Sequence, residues 1–267
     1  ILSEVMAEGP AGPAQDHEYD EIRDGAGVEA ALKGARRLSI TLAFHGEGEG
    51  GEGEPLSTGL CVDNDKAYFL RSGASSTVGG ADSGDLVEMI NALKPYLEET
   101  DLKKDTDDSK ALYLFFSSCG VDLAGVAVDT SLASYLLDPS RSDHSVEALA
   151  FEYLGANPPK RPKGGREEAK TGLSISNKAS NIAKLALILH ERLEKDGLLD
   201  LYTGMELPLS RVLASMERLG IKVETQMLRD LSKEIEAELA DIERRIYAGA
   251  GTTFNINSPK QLSEILF

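Results

Sequence analysis

Near the end of the chain, Asn255, Asn257, Ser258 and Lys260 stand close together in "FNINSPK". Two amides, a hydroxyl and an ammonium can each bond a phosphate oxygen without reading a base. A helix start beside them adds N–H donors and the positive end of a dipole. Ser258 at the N-cap, Pro259 at the first helical position and Gln261 three residues after the cap have the spacing of such a start, with a capping box. The same residues also have a local use, in which Ser258 caps, the two asparagines make turns and Lys260 is solvated. Residue chemistry by itself favours the local use.

Other groupings point less clearly to chemistry. Glu47, Glu49, Glu52 and Glu54 lie in a glycine-rich loop, and Asp105, Asp107 and Asp108 lie in what reads as a helix-entry turn, where acidic residues favour the helix dipole. Neither reads as a metal site. His17, His45, His144 and His190 are scattered, without a paired His or Cys at zinc-ligand spacing. No glycine-rich phosphate loop follows a strand. Cys61 and Cys119 are the only cysteines, which excludes a secreted disulfide framework but not one bridge; buried free thiols are the expectation.

The elements that position these residues follow from periodicity. Residues 1–27 mix Gly, Pro and acidic side chains without a period and read as a linker. A short helix through Val28 and Leu32 comes next, then "RRLSITLAF" alternates, with Leu38, Ile40, Leu42 and Phe44 on one face of a strand. "LSTGLCVDN" and "KAYFLRS" are two more strands with a turn at 63–65, completing an antiparallel meander. Helical spacing follows in "GDLVEMINALKPYLEE" and "SKALYLFFSSCG", and "VDLAGVAVDTSLASYLLDP" passes from strand to helix. That order implies a mixed α/β sheet. "SVEALAFEYLG" is a helix, "NPPKRPKGGREEAK" a loop, and a further helix spans about 176–196.

After residue 203 the pattern turns wholly helical, with apolar stripes at Leu209, Val212, Leu213, Met216 and Leu219, and at Leu228, Leu231, Ile235, Leu239, Ile242 and Ile246. Charge changes at the same place. The chain carries −17, whereas 204–267 holds eight Lys+Arg against ten Asp+Glu, a net of −2 that leaves −15 for 1–203. So acidic a front portion disfavours extended binding to a phosphate backbone; the rear portion escapes that objection. With 267 residues, 41% of them apolar, one large or two modest domains are expected. No apolar run approaches the roughly 18 residues of a spanning helix, and no signal core opens the chain. A cytoplasmic protein without membrane attachment is the expectation. The chain opens at Ile1, and its last helix start has about two turns to run, so it reads as an excerpt of a longer sequence.

The run from "ELPLSRVLASMERLG" to "FNINSPKQLSEILF" closely resembles the start of the polymerase portion of bacterial family A DNA polymerases, of DNA polymerase I type, where such helices build the thumb. "DTSLASYLLDPSRSDHSVEALAFEYLG" resembles, more loosely, the proofreading 3′-5′ exonuclease domain of the same family. The resemblance implies a linker over 1–27, an α/β RNase H-like domain over 28–203, and thumb helices over 204–267. It further implies a monomeric, template-directed polymerase parent that uses Mg²⁺ and dNTPs in a palm and fingers outside this chain. Primer-template duplex DNA would be the partner, held by Asn255, Asn257, Ser258 and Lys260.

An active proofreading domain of that family carries carboxylates for two divalent ions. The aligned positions here are Thr41 on the first strand, Asp108 and Leu112 at the second motif, and Lys178 and Ile182 at the third. Hard cations need oxygen ligands, so the resemblance implies a vestigial exonuclease without catalytic residues or metal. Two other readings are a noncatalytic α/β interaction module with a helical arm, and an active 3′-5′ exonuclease.

Overall fold

A computed structural model describes residues 19–44, 55–71, 83–156 and 167–266. Strand β1 (Tyr19–Ile22) comes first, then α1 (Gly25–Leu32), whose N-cap Asp24 accepts the Gly27 amide. Residues 19–22 therefore depart from the linker expected over 1–27: they form a strand paired in parallel with a later one, where Ile22 reaches the core. The earlier part of that linker, His17, His45 and the Glu47–Glu54 cluster lie outside the described residues, as does 157–166 of the expected loop.

The meander forms as expected from β2 (Arg37–Phe44), β3 (Pro55–Val62) and β4 (Lys66–Arg71). Asp63 and Asn64 take φ of 50° and 61° in the turn, a conformation that Asp and Asn tolerate better than other L residues. Helix α2 (Ser83–Glu98) leads into β5 (Lys103–Thr106), then α3 (Ser109–Ser118), β6 (Val126–Asp129) and α4 (Thr130–Leu137). The sheet order is β1-β4-β3-β2-β5-β6, with β1, β5 and β6 parallel to their neighbours and β2–β3–β4 antiparallel. It is the mixed sheet expected. Strand β5 corrects the reading of 105–108 as a single helix-entry turn. Asp105 sits within the sheet, fully buried, and only Asp107 and Asp108 remain in the turn. Polar "KKDT" carries no apolar alternation; it is a strand because β2 and β6 flank it and Arg37 neutralises Asp105.

Helices α5 (Val146–Leu154) and α6 (Glu167–Lys195) follow. One face of the sheet packs Leu38, Ile40 and Leu60 against Val28, Leu32, Leu93, Leu97, Leu112 and Phe116 of α1–α3. The other face is covered by α6, whose inner side is built from small residues: Ala179 and Ala183 meet Cys61. Gly59 of β3 makes that approach possible, because a Cβ there would lie 2.4 Å from the Ile175 carbonyl oxygen. Beyond the sheet, α6 packs on α4 and α5 through Ile182, Leu185 and Leu189 against Ala133, Val146 and Leu149.

Helix α7 (Leu199–Leu201) runs through a π-turn (Tyr202–Glu206) into α8 (Leu207–Leu219). Compact units divide at Leu219/Gly220, later than the 203/204 join suggested by charge and periodicity. The reason is that α8 packs on α3. Ser210 and Ala214 are buried there and Leu207 joins the cluster of α4–α6, while the apolar stripe at Leu209, Val212, Leu213, Met216 and Leu219 stays exposed. The second unit contains α9 (Thr225–Ala250), closed by Gly251 at φ 68°, and α10 (Pro259–Leu266). Among its described residues no side chain is buried, and the α9 stripe is open to solvent.

Gly59→Ala is expected to destabilise the first unit by about 3 kcal/mol, the upper end of overpacking costs, because backbone rather than a flexible side chain fills the space. Gly204→Ala, with nothing within 4 Å of its added Cβ, serves as the control. Urea midpoints of the two variants check this; equal midpoints would mean that α6 does not lie as close as described.

Candidate functional site

Thr41 lies in the middle of β2, fully buried, with its hydroxyl lacking a hydrogen-bond partner among the described residues. Leu112, on the second turn of α3, is 1% exposed and belongs to the core shared by α1, α2 and the sheet. Ile182 is 0% exposed and belongs to a different cluster, among α4, α5 and α6. Both positions are occupied by packing side chains, and they do not converge on one cavity cluster.

The charged members do come together. Asp108 is the N-cap of α3, accepting the Ala111 amide at 2.9 Å. Beside it, Asp107 takes the Lys178 ammonium at 2.6 Å across the gap to α6. Burial pulls the Lys178 ammonium down, and Asp107 more than restores it, so it stays above its usual value. One negative and one positive charge thus face each other where a metal would require several negative oxygens.

That set does not fit a divalent cation. Leu112 and Ile182 offer no donor atom, Thr41 offers a neutral hydroxyl, and Lys178 brings its own positive charge. Among the described residues no group of three or more His, Cys, Asp and Glu side chains could hold a metal ion. Cys61 is buried, and burial pushes its thiol up to about 11; Cys119 is free but exposed, contrary to the expected buried pair, because it caps the open end of α3.

Sequence reasoning missed several buried polar residues. Arg37 Nε and Nη2 grip Asp105 at 2.5 and 2.8 Å, a bidentate pair that stitches β2 to β5. Burial pushes the Asp105 carboxyl up, and the Arg37 guanidinium pulls against that. The carboxyl of Asp129, at the end of β6, accepts the amides of Ser109 at 2.7 Å and Leu132 at 3.0 Å. Tyr202, fully buried in the π-turn, donates to the Asp129 carbonyl and accepts from its amide. The N-cap spacing of "DTSL" could have marked Asp129; no local signal marks Tyr202.

In the second unit the turn residues converge as a bonded group. Asn255 Oδ1 accepts the Asn257 amide at 3.0 Å, and the Asn255 carbonyl accepts the Ser258 amide at 2.9 Å. Ser258 Oγ accepts the Gln261 amide at 3.4 Å. The return arm of the expected capping box differs, for Gln261 Oε1 takes the Asn255 amide at 2.8 Å, the Ser258 amide being already engaged. Phe254 anchors the turn edge-on against Tyr247 of α9. Lys260 is exposed, with no ion pair among the described residues. The local use of Asn255 and Ser258 is therefore real. The Asn257 side chain and the Lys260 ammonium remain exposed.

The fold and these positions define an RNase H-like α/β domain of exonuclease type with a helical segment after it. Residues 82–156 match the family described as DNA polymerase I, ribonuclease H-like domain. The DNA polymerase I of Pseudomonas aeruginosa is 31% identical over 291 aligned residues, covering 100% of this chain and 31% of that protein. That of Geobacillus stearothermophilus is 36% identical over 180 residues, covering 64% of this chain and 20% of that protein. Among solved structures, the POL domain of Pol1 from M. smegmatis, in complex with DNA primer-template and dNTP, matches 96% of this chain and 40% of that one, with a TM-score of 0.60 at 24% identity. The chain belongs to the family A DNA polymerases, of the DNA polymerase I type. It spans between about a fifth and a third of the length of these curated relatives.

Restoring a carboxylate to either packed position, as Leu112→Asp or Ile182→Asp, is expected to cost about 3 kcal/mol through an unpaired buried polar group and lost packing. Denaturant midpoints read this directly, and unchanged midpoints in both variants would mean that the side chains reach water.

Proposed function

We propose that this chain is the proofreading-domain and adjoining thumb portion of a template-directed DNA polymerase, and that its RNase H-like domain is a scaffold without nuclease activity. One observation carries the reading. Two positions where the family places metal-binding carboxylates are held by Leu112 and Ile182, each inside a hydrophobic cluster. In this reading the scaffold, expected over 28–203, starts already at β1 (Tyr19–Ile22), and 204–267 begins the thumb. Nucleotidyl transfer, with its Mg²⁺ and dNTPs, belongs to the palm and fingers of a longer polypeptide that acts as a monomer. The similarity to a polymerase solved with primer-template DNA and dNTP supports duplex DNA as the partner. Among the described residues, no helix is long and apolar enough to cross a membrane.

Asn255, Asn257, Ser258 and Lys260 are assigned to the DNA backbone. Their geometry suits positioning without base reading, because amide, ammonium and helix-start N–H groups are indifferent to sequence. Lys260 is the sole positive charge after Arg245.

Two measurements test the proposal. Incubated with single-stranded 3′ ends and Mg²⁺ or Mn²⁺, the chain is expected to release no nucleotides above a buffer control. EDTA-sensitive release that survives purification would overturn the scaffold reading. In the complete polymerase, Lys260→Ala is expected to weaken primer-template affinity equally across sequences and lower the salt slope by about one counterion. If that variant, Asn255→Ala and Asn257→Ala all bind as the parent does, the turn is only a helix start.

A further inference from the structure

Asp129 is a buried titratable group without a part in the function above. It is 2% exposed, and one carboxyl serves two helices: Oδ1 accepts from Leu132 of α4 and Oδ2 from Ser109 of α3. The Ser109 hydroxyl stands beside this carboxyl, whose Oδ2 the Ser109 amide reaches, and donates to Ser210 Oγ in α8 at 2.9 Å. Ser210 in turn donates to the Leu207 carbonyl at 2.8 Å. A line of buried hydroxyls therefore runs from Asp129 to α8, along one wall of a cavity.

The charged groups around it are few. From the β5–α3 turn come Asp108, which opposes ionisation of Asp129, and Asp107, which is neutralised by Lys178. From α3 come Tyr113, whose phenol is raised by burial and in smaller part by the Asp129 charge, and Lys110, paired with Glu217 of α8 at 2.8 Å. The π-turn brings Tyr202, bonded to the Asp129 backbone, and Glu206, on the wall of a cavity of about 530 Å³ that Asp129 also lines. No cation touches the carboxyl among the described residues. Burial, opposed by the Leu132 and Ser109 bonds and aided by Asp108, holds it up at about 7.

Ser109 has one hydroxyl hydrogen. When Asp129 is a carboxylate, it is the stronger acceptor, and that hydrogen turns toward it. Only the Ser210 hydrogen is then left to serve both Ser109 Oγ and the Leu207 carbonyl. When Asp129 is protonated, its O–H donates to Ser109, Ser109 donates to Ser210, and Ser210 donates to Leu207. Every donor has an acceptor, and α8 gains a buried bond. The remaining polar ties of α8 to the body, such as Lys110–Glu217, Arg211–Asp122 and Arg218 to Ser117, are exposed and weak. At the root of α8 the π-turn contains Gly204, with open space around it, a place where the helix can pivot.

We propose that Asp129, Ser109 and Ser210 form a proton-controlled latch, which fastens α8 to the α/β body when Asp129 is protonated and loosens it when Asp129 is ionised. The sign follows from linkage. A carboxyl raised in the native state binds its proton more tightly there than in the unfolded chain, so its stabilisation is full below the ordinary carboxylate range and is lost as pH rises through about 7.

Hydrogen exchange on the whole chain, corrected for intrinsic rates, tests the latch. Protection of α8 amides in the parent is expected to fall roughly three- to tenfold between pH 6 and 8.5, the worth of one neutral hydrogen bond, while α6 stays unchanged. Ser109→Ala and Ser210→Ala, each of which breaks the line of hydroxyls at every pH, are both expected to show low and flat protection. Flat protection in the parent, a parallel change in α6, or a pH dependence that persists in Ser210→Ala would overturn the proposal. That last arm stands even if Ser109→Ala does not fold.

Discussion

The close seat of α6 on β2 and β3 is the constraint on which the first unit depends. A helix can approach a sheet this nearly only where the facing residues are small. Gly59, Cys61, Ala179 and Ala183 supply that surface. Once α6 is seated, β2 is covered on both sides, and Ser39 and Thr41 are buried as fully as Leu38 and Ile40. The next turns of α6 then close over α4 and α5. Ile182 becomes a core residue for the same reason, one turn beyond the lysine that meets Asp107.

A sheet covered on both faces must pair the charged groups it buries, although the Ser39 and Thr41 hydroxyls find no partner among the described residues. Arg37 answers Asp105 with two bonds, and Tyr202 answers both backbone groups of Asp129. Lys104, fully buried on β5, donates to the Glu99 carbonyl, and burial lowers its ammonium to about 8. Such pairs stabilise little against an apolar alternative, but losing one partner is costly. They fix which strand lies beside which. Strand β5, with almost no apolar content, owes its place to them.

The second unit follows a different logic. Its helices bury nothing among the described residues, yet α9 keeps an apolar stripe through Leu228, Leu231, Ile235, Leu239 and Ile242 and a charged opposite face. Order there comes from local devices: the left-handed Gly251, the Phe254–Tyr247 contact and the bonds among Asn255, Ser258 and Gln261. These devices give the turn a defined shape without a core.

The helices with N-caps at Asp108, Asp129 and Ser145, the alternating strand β2 and the hairpin at 63–65 were all legible in the sequence, because capping, alternation and turn chemistry are properties of neighbouring residues. Tertiary structure decided the rest. Tyr19–Ile22 is a strand only because β4 offers an edge, and "KKDT" only because Arg37 waits on β2. The apolar stripe of α8 predicted burial, yet Ser210 and Ala214 became the packed side, because α3 presents Ser109 to hydroxyl partners there. Strand pairing, ion-pair partners and the choice of buried helix face join residues far apart in the chain, and no local period records which distant surface a segment will meet.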